Sequence, residues 1–237
     1  MANPALNERV FSKLGSHITD EKMSISGTIN KTGILLLCLI LGAAVGWQII
    51  NSTLLLISVV MTLILAVAII FGPHRAVYLS QAYAFFEGLM LGTVSRMYSF
   101  LYPGIVSNAM MLTITCLMVM LFLYRSRLIV VSERFRSVLF AATLAIGATY
   151  FVEIILRLFH MNIPYIHEAS PIGIAFSVGV VVIAAFNLLI DFQNIELAAQ
   201  HQMPKHMEWY CAFGLLVTIV WLYLEILRLL SKLNRKK

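Results

Sequence analysis

The chain has 237 residues, 60% of them hydrophobic and 12% charged, with a mean hydropathy of +0.90. A soluble domain carries about 25% charged residues, so this balance argues against one and points to a polytopic membrane protein. The net charge of +6 is not a nucleic-acid signal, because the basic residues fall mainly between and beside apolar segments, where membrane orientation is set.

Residues 1–32 form a polar arm with Arg9, Lys13, Lys22 and Lys31. The arm has no apolar core of the kind a cleavable signal peptide needs, so the first membrane helix is expected to act as its own insertion signal. Seven apolar segments follow, at about 33–50, 54–71, 76–97, 105–124, 138–159, 172–191 and 209–230. Each is near the roughly 20 residues that cross a hydrocarbon core. The links at residues 51–53 and 72–75 are short, which makes neighbouring helices antiparallel within one bundle. The expected fold is all-α, with a seven-helix transmembrane domain over residues 33–231 and a basic tail at 232–237.

Orientation follows the Lys/Arg bias. The arm and the loop carrying Arg125, Arg127, Arg134 and Arg136 lie on one side if the helices alternate, and that side is expected to be the cytoplasm. Residues 161–171 have no Lys or Arg, as suits the outside. Lys232, Arg235, Lys236 and Lys237 dissent, because seven crossings would leave them outside unless one segment is re-entrant. Cys38, Cys116 and Cys211 have no metal or redox spacing and read as small apolar fillers. His160, His167, His201 and His206 match no zinc motif. No nucleophile elbow, nucleotide fingerprint or triad spacing appears, so no enzyme and no cofactor is expected. Gly42–Gly46 and Gly88–Gly92 have GxxxG spacing, which permits close helix packing and is a weak dimer signal.

The polar residues fall on stripes, since positions three or four apart share a helix face. On the third helix these are Ser80, Ala84, Glu87, Leu91 and Ser95; on the fifth, Thr143, Gly147, Tyr150 and Arg157, with Glu153 one step round. The sixth carries Gly173, Ser177, Ala184, Asn187 and Asp191, and the seventh Gly214, Thr218, Trp221, Glu225 and Arg228. One shared polar interior built from these four helices is expected. An acid inside a membrane helix costs roughly 2.5–3.5 kcal/mol and usually faces a partner or a water-filled cavity. Asp191 and Glu225 are expected to meet as the functional core. The competing readings are local: Arg228 neutralises Glu225 or snorkels outward, Glu153 and Arg157 form an i,i+4 pair, and Asn187 with Asp191 forms a polar pair. Glu87 has no local charge partner.

Two of these stretches also carry a resemblance. LLIDFQNIE (188–196) and WLYLEILRLL (221–230) resemble the Bax inhibitor family, in which an Asp–Thr–Gln-like turn ends the sixth helix and a Leu–Tyr–Leu–Asp run lies in the seventh. NPAL (3–6), GTINKTGILL (27–36), FEGLMLGTVS (86–95) and EWYCAFGLLVTIVWLYLEILRLL (208–230) resemble a bacterial branch of that family. The resemblance implies a seven-helix fold around a central seventh helix, in a bacterial inner membrane. It also implies a pH-sensitive calcium leak gated by an acid pair, which maps onto Asp191 and Glu225 as calcium ligands. The chain departs from the pattern in having Glu as the second acid and a longer stretch, with His201 and His206, between the two.

The mechanism implied is a shared proton. Two carboxylates in a poorly solvated site cannot both ionise easily, so a proton between them would hold the last two helices together. Its loss would favour opening and expose the oxygen ligands that calcium prefers. The resemblance also implies regulation of a membrane-bound protease, as in other bacterial relatives, so restraint of such a partner through the arm and residues 125–136 is the alternative. A proton-coupled transporter is a third reading. The expected partners are therefore the lipid bilayer and calcium ions, with a membrane protease as the alternative.

Overall fold

Short polar side chains start three of the helices by accepting otherwise orphaned backbone N–H groups. Ser24 Oγ accepts from Gly27 N at 3.0 Å and opens α1 (Ile25–Gln48). Asn51 Oδ1 accepts from Thr53 N at 2.8 Å and opens α2 (Ser52–Ile70). Ser170 Oγ accepts from Gly173 N at 3.1 Å, with Pro171 at the first turn, and opens α6 (Pro171–Gln200). The 3-10 turn Pro73–Arg75 leads into α3 (Ala76–Leu101). Gly104, at a φ of +79° that glycine adopts without strain, leads into α4 (Ile105–Arg125). The remaining helices are α5 (Glu133–Leu158) and α7 (Met207–Arg235). This computed structural model describes residues 22–159 and 170–235, apart from the side chains of Ile154, Arg157 and Leu158.

The seven expected segments correspond to seven helices among the described residues, with shifted ends. α1 begins at Ile25 rather than at residue 33, because the Ser24 cap lets the helix run into the expected polar arm. α6 continues past Asp191 to Gln200, and α7 takes in Lys232 and Arg235 of the expected tail. Arg9, Lys13, His160, His167, Lys236 and Lys237 lie outside the described residues.

Among the described residues six helices are long and apolar enough to cross a membrane, all but α3. Exposed Leu63, Ile64, Phe122, Phe140 and Phe151 cover α2, α4 and α5. A soluble monomer rarely presents apolar surface on this scale, so these faces belong against lipid tails. Within the spans, Thr32, Thr62 and Thr113 donate to carbonyls four residues back at 2.8–2.9 Å, which satisfies their hydroxyls without water.

α3 turns its polar residues inward. Ser80, Ala84, Glu87, Leu91 and Ser95, the stripe expected from spacing, are all buried. The helix packs against α1, α2, α4 and α7. Its closest partner is α1, and here the two GxxxG motifs explain each other. A Cβ added at Gly42 or Gly46 would land on the carbonyl of Phe85 or Leu89, and one added at Gly88 or Gly92 on that of Leu39 or Ala43. The motifs therefore bring two backbones of the same chain together, which corrects the reading of them as a dimer signal.

α7 packs against α1, α3, α4 and α6, and Leu216, Val220, Leu222 and Leu227 are buried along it. α5 stands at the edge and packs mainly on α6. One shared polar interior is not formed. The α3 stripe meets one side of α7, where Ser95 Oγ and Tyr223 OH are 2.7 Å apart. The α5 and α6 stripes meet another, because Tyr223 and Glu225, two residues apart, point to opposite faces of a helix with 3.6 residues per turn.

Candidate functional site

The register between α6 and α7 fixes where the acids lie. At one end Lys232 Nζ donates to the Gly173 carbonyl at 3.0 Å and to Ser177 Oγ at 2.7 Å. At the other, the Asp191 carboxyl faces the Thr218 hydroxyl and the Cys211 thiol. Glu225 lies seven positions beyond Thr218, about 10 Å further along α7 at 1.5 Å per residue. The expected meeting of Asp191 and Glu225 is thus corrected: antiparallel packing sets them at different levels of the bundle.

Each acid has its own surroundings. Glu225 is 2% exposed and accepts a hydrogen bond from Tyr150 OH at 2.9 Å. Arg228 Nη1 reaches its two oxygens at 3.3 and 3.4 Å. The Arg228 guanidinium also stacks 4.6 Å from the centre of the Tyr150 ring, so acid, base and phenol form a closed triangle. Arg228 neutralises Glu225, the local alternative left open by spacing. Lys232 and the buried Glu153 extend this charged group toward the end of α7. The Arg157 side chain lies outside the described residues, so the Glu153–Arg157 pair does too.

Asp191 is satisfied less fully. Its Oδ2 is buried and accepts no hydrogen bond, while Thr218 donates its hydroxyl to the Gly214 carbonyl at 3.3 Å. A buried acceptor without a donor typically costs about 1–3 kcal/mol. Asn187 does not pair with it: its Nδ2 donates to Thr143 Oγ1 at 3.0 Å and to the Ile183 carbonyl at 2.8 Å, pinning α5 to α6. Glu87 is buried on α3 beside Tyr83, whose ring meets Phe213 edge-on at 4.8 Å. It shares no contact with either acid. Among the described residues no three His, Cys, Asp or Glu side chains gather as a metal site, and joint calcium ligation by Asp191 and Glu225 is not assembled in this arrangement.

Two polar centres escaped the sequence reading. Glu208, at the first turn of α7, is 2% exposed. It accepts from Ser24 N at 2.9 Å and Ser24 Oγ at 3.1 Å and pairs with Lys31. Gly27 makes room for it, since a Cβ there would overlap the carboxylate. Beside it Met23 N donates to the Met203 carbonyl at 2.8 Å, so the longer stretch before α7 grips the entry to α1. The second centre is Glu196, which bonds Tyr124 and, at 2.9 Å, Arg127. Arg136 Nη2 donates to Gln193 Oε1 at 2.7 Å. Two of the four arginines of the basic loop, Arg127 and Arg136, are thereby held against α6.

The family model described as Bax inhibitor 1 like matches residues 3–235, so the chain belongs to the Bax inhibitor 1-like family and is an integral membrane protein. A comparison with curated proteins found no match.

Proposed function

We propose that this Bax inhibitor 1-like protein is a pH-sensitive, calcium-permeable leak of a bacterial inner membrane, controlled by Asp191 and Glu225 from separate levels of the bundle. In this reading all seven helices cross, with α7 central and the N-terminus in the cytoplasm. α3 belongs among the crossings because its 26 residues reach about 39 Å at 1.5 Å per residue. It is also joined tightly to the spans α2 and α4 at either end.

The observation that carries the proposal is the buried, unpartnered oxygen of Asp191 at the α6–α7 contact. Structural acids in membranes are paired, as Glu225 is, and an unpaired one marks an ion or proton path. When protonated, Asp191 carries no charge and the helices stay packed. When ionised, it places two hard oxygens where a calcium ion finds ligands, and the packed state becomes less favourable. The Glu225–Arg228–Tyr150 triangle holds α7 against α5 and keeps the pathway shut until it parts. Leak therefore rises with pH.

The test is calcium flux into proteoliposomes across pH for Asp191→Asn and Glu225→Gln. Asp191→Asn removes most of the pH dependence, and Glu225→Gln raises the flux of the shut form. Unchanged pH dependence in both variants would overturn the reading. Restraint of a membrane protease through residues 125–136 would rest on the exposed Arg125 and Arg134, because Arg127 and Arg136 are already engaged by Glu196 and Gln193.

A further inference from the structure

α1 and α4 are both apolar enough to cross the membrane, yet they do not pack on each other. Between them lies a groove of about 440 Å³ on the Thr28 side and a second of about 510 Å³ on the Trp47 side, with Leu36 and Ile219 lining both. The second groove is walled by Ala44, Trp47 and Met110 and floored by Val220 and Tyr223. Its hydroxyls are turned to one another or to the backbone. Ser95 bonds Tyr223 at 2.7 Å, and Thr113 donates to the Ala109 carbonyl at 2.8 Å. An apolar surface whose hydroxyls are already satisfied is a poor home for water and a good one for hydrocarbon.

Length and charge then select the occupant. From Trp47 to Leu36 α1 rises about 16 Å at 1.5 Å per residue, about half of a hydrocarbon core roughly 30 Å thick. That is the reach of a chain from one leaflet. At the rim, the half-buried Arg96 places its guanidinium 5.6 Å from the Trp47 ring and 5.2 Å from the Phe100 ring. No carboxylate among the described residues pairs with it. Tryptophan marks the headgroup level, and arginine matches the planar spacing of phosphate oxygens.

We propose that the groove between α1 and α4 holds one acyl chain of a membrane phospholipid from the leaflet on the Trp47 side, with its phosphate against Arg96. The lipid fills the space above Ile219, Val220 and Tyr223 of α7, and it wedges α1 from α4. The proposal is independent of ion conduction.

Native mass spectrometry of the full chain in mild detergent, with the bound lipid extracted and identified, tests it. The wild type is expected to retain one phospholipid per chain. Ala44→Phe fills the groove from an exposed position, and Arg96→Gln removes only the charge; each is expected to lower retention several-fold. Gly33→Phe projects into the other groove, which Gly33 lines, without meeting a neighbour at its Cβ, and is expected to retain the lipid. Thermal unfolding of each variant confirms that it is folded. A wild type with no added mass, with a free fatty acid or with a second copy of the chain would overturn the proposal. So would full retention in Ala44→Phe and Arg96→Gln, or a loss in Gly33→Phe equal to theirs.

Discussion

The Tyr150 hydroxyl donates to Glu225 Oε1 at 2.9 Å, and this bond fastens the edge helix α5 to α7. A hydrogen bond to a charged acceptor contributes about 1.5–3 kcal/mol. Tyr150→Phe is expected to lower stability by that order, read by denaturation in detergent, and to raise calcium leak at low pH. Arg228→Met should act on the same acid, so the double variant is expected to lose less than the sum of the singles. Strict additivity would show that the triangle is not one unit.

Asp191 and Glu225 are expected to respond oppositely to neutralisation. Glu225→Gln breaks a satisfied buried pair and lowers the unfolding temperature. Asp191→Asn relieves a buried oxygen that has no donor and leaves the temperature unchanged or raised. If the acids were joined by a shared proton, both substitutions would destabilise, so equal falls would contradict the separation described here.

Lys31 and Glu208 pair between α1 and α7, with Glu208 buried and Lys31 partly exposed. Removing one partner of a fully buried pair typically costs about 3–5 kcal/mol, and less where one partner keeps some water, whereas replacing both with apolar groups is often neutral. Lys31→Met alone is therefore expected to be strongly destabilising, and Lys31→Met with Glu208→Met much less so. Thermal unfolding in detergent compares them. A double variant as weak as the single would mean that the Ser24 bonds, rather than the charges, hold the joint.

The α1–α3 crossing predicts a sharp position dependence. Gly88→Ala places a methyl on the Leu39 carbonyl, and Gly33→Ala places one in open space. Overpacking costs about 1–3 kcal/mol, more where the neighbour is backbone that cannot turn aside. The first variant is expected to lose at least that much stability and the second almost none. Chemical cross-linking adds a check, since the same motifs would lower oligomer yield on substitution if they joined separate copies.

Much of this fold was legible in the sequence because a bilayer imposes a length. Apolar runs near 20 residues gave seven helices, and 3.6-residue spacing found the buried α3 stripe and the two GxxxG motifs. Spacing along one helix does not say which helix faces it, so the motifs were visible while their mutual packing was not. The acid pair failed for the same reason. Asp191 and Glu225 were the right residues to notice, but their relative height depends on the Lys232–Gly173 and Asp191–Thr218 contacts, which no periodicity contains. Glu208 was missed because it sits just before the apolar run and reads as an ordinary interface acid. The signal for it was the lone Lys31 within GTINKTG together with Glu-Trp at the start of α7.

The central claim is conduction by the protein alone, set by the charge on Asp191. The most direct measurement is calcium entry into liposomes holding only the purified wild-type chain, followed across a pH series beside Asp191→Asn. Entry that rises with pH in the wild type and a nearly flat profile in Asp191→Asn are expected. Entry no greater than in protein-free liposomes at every pH, or identical profiles for the two proteins, would contradict that claim.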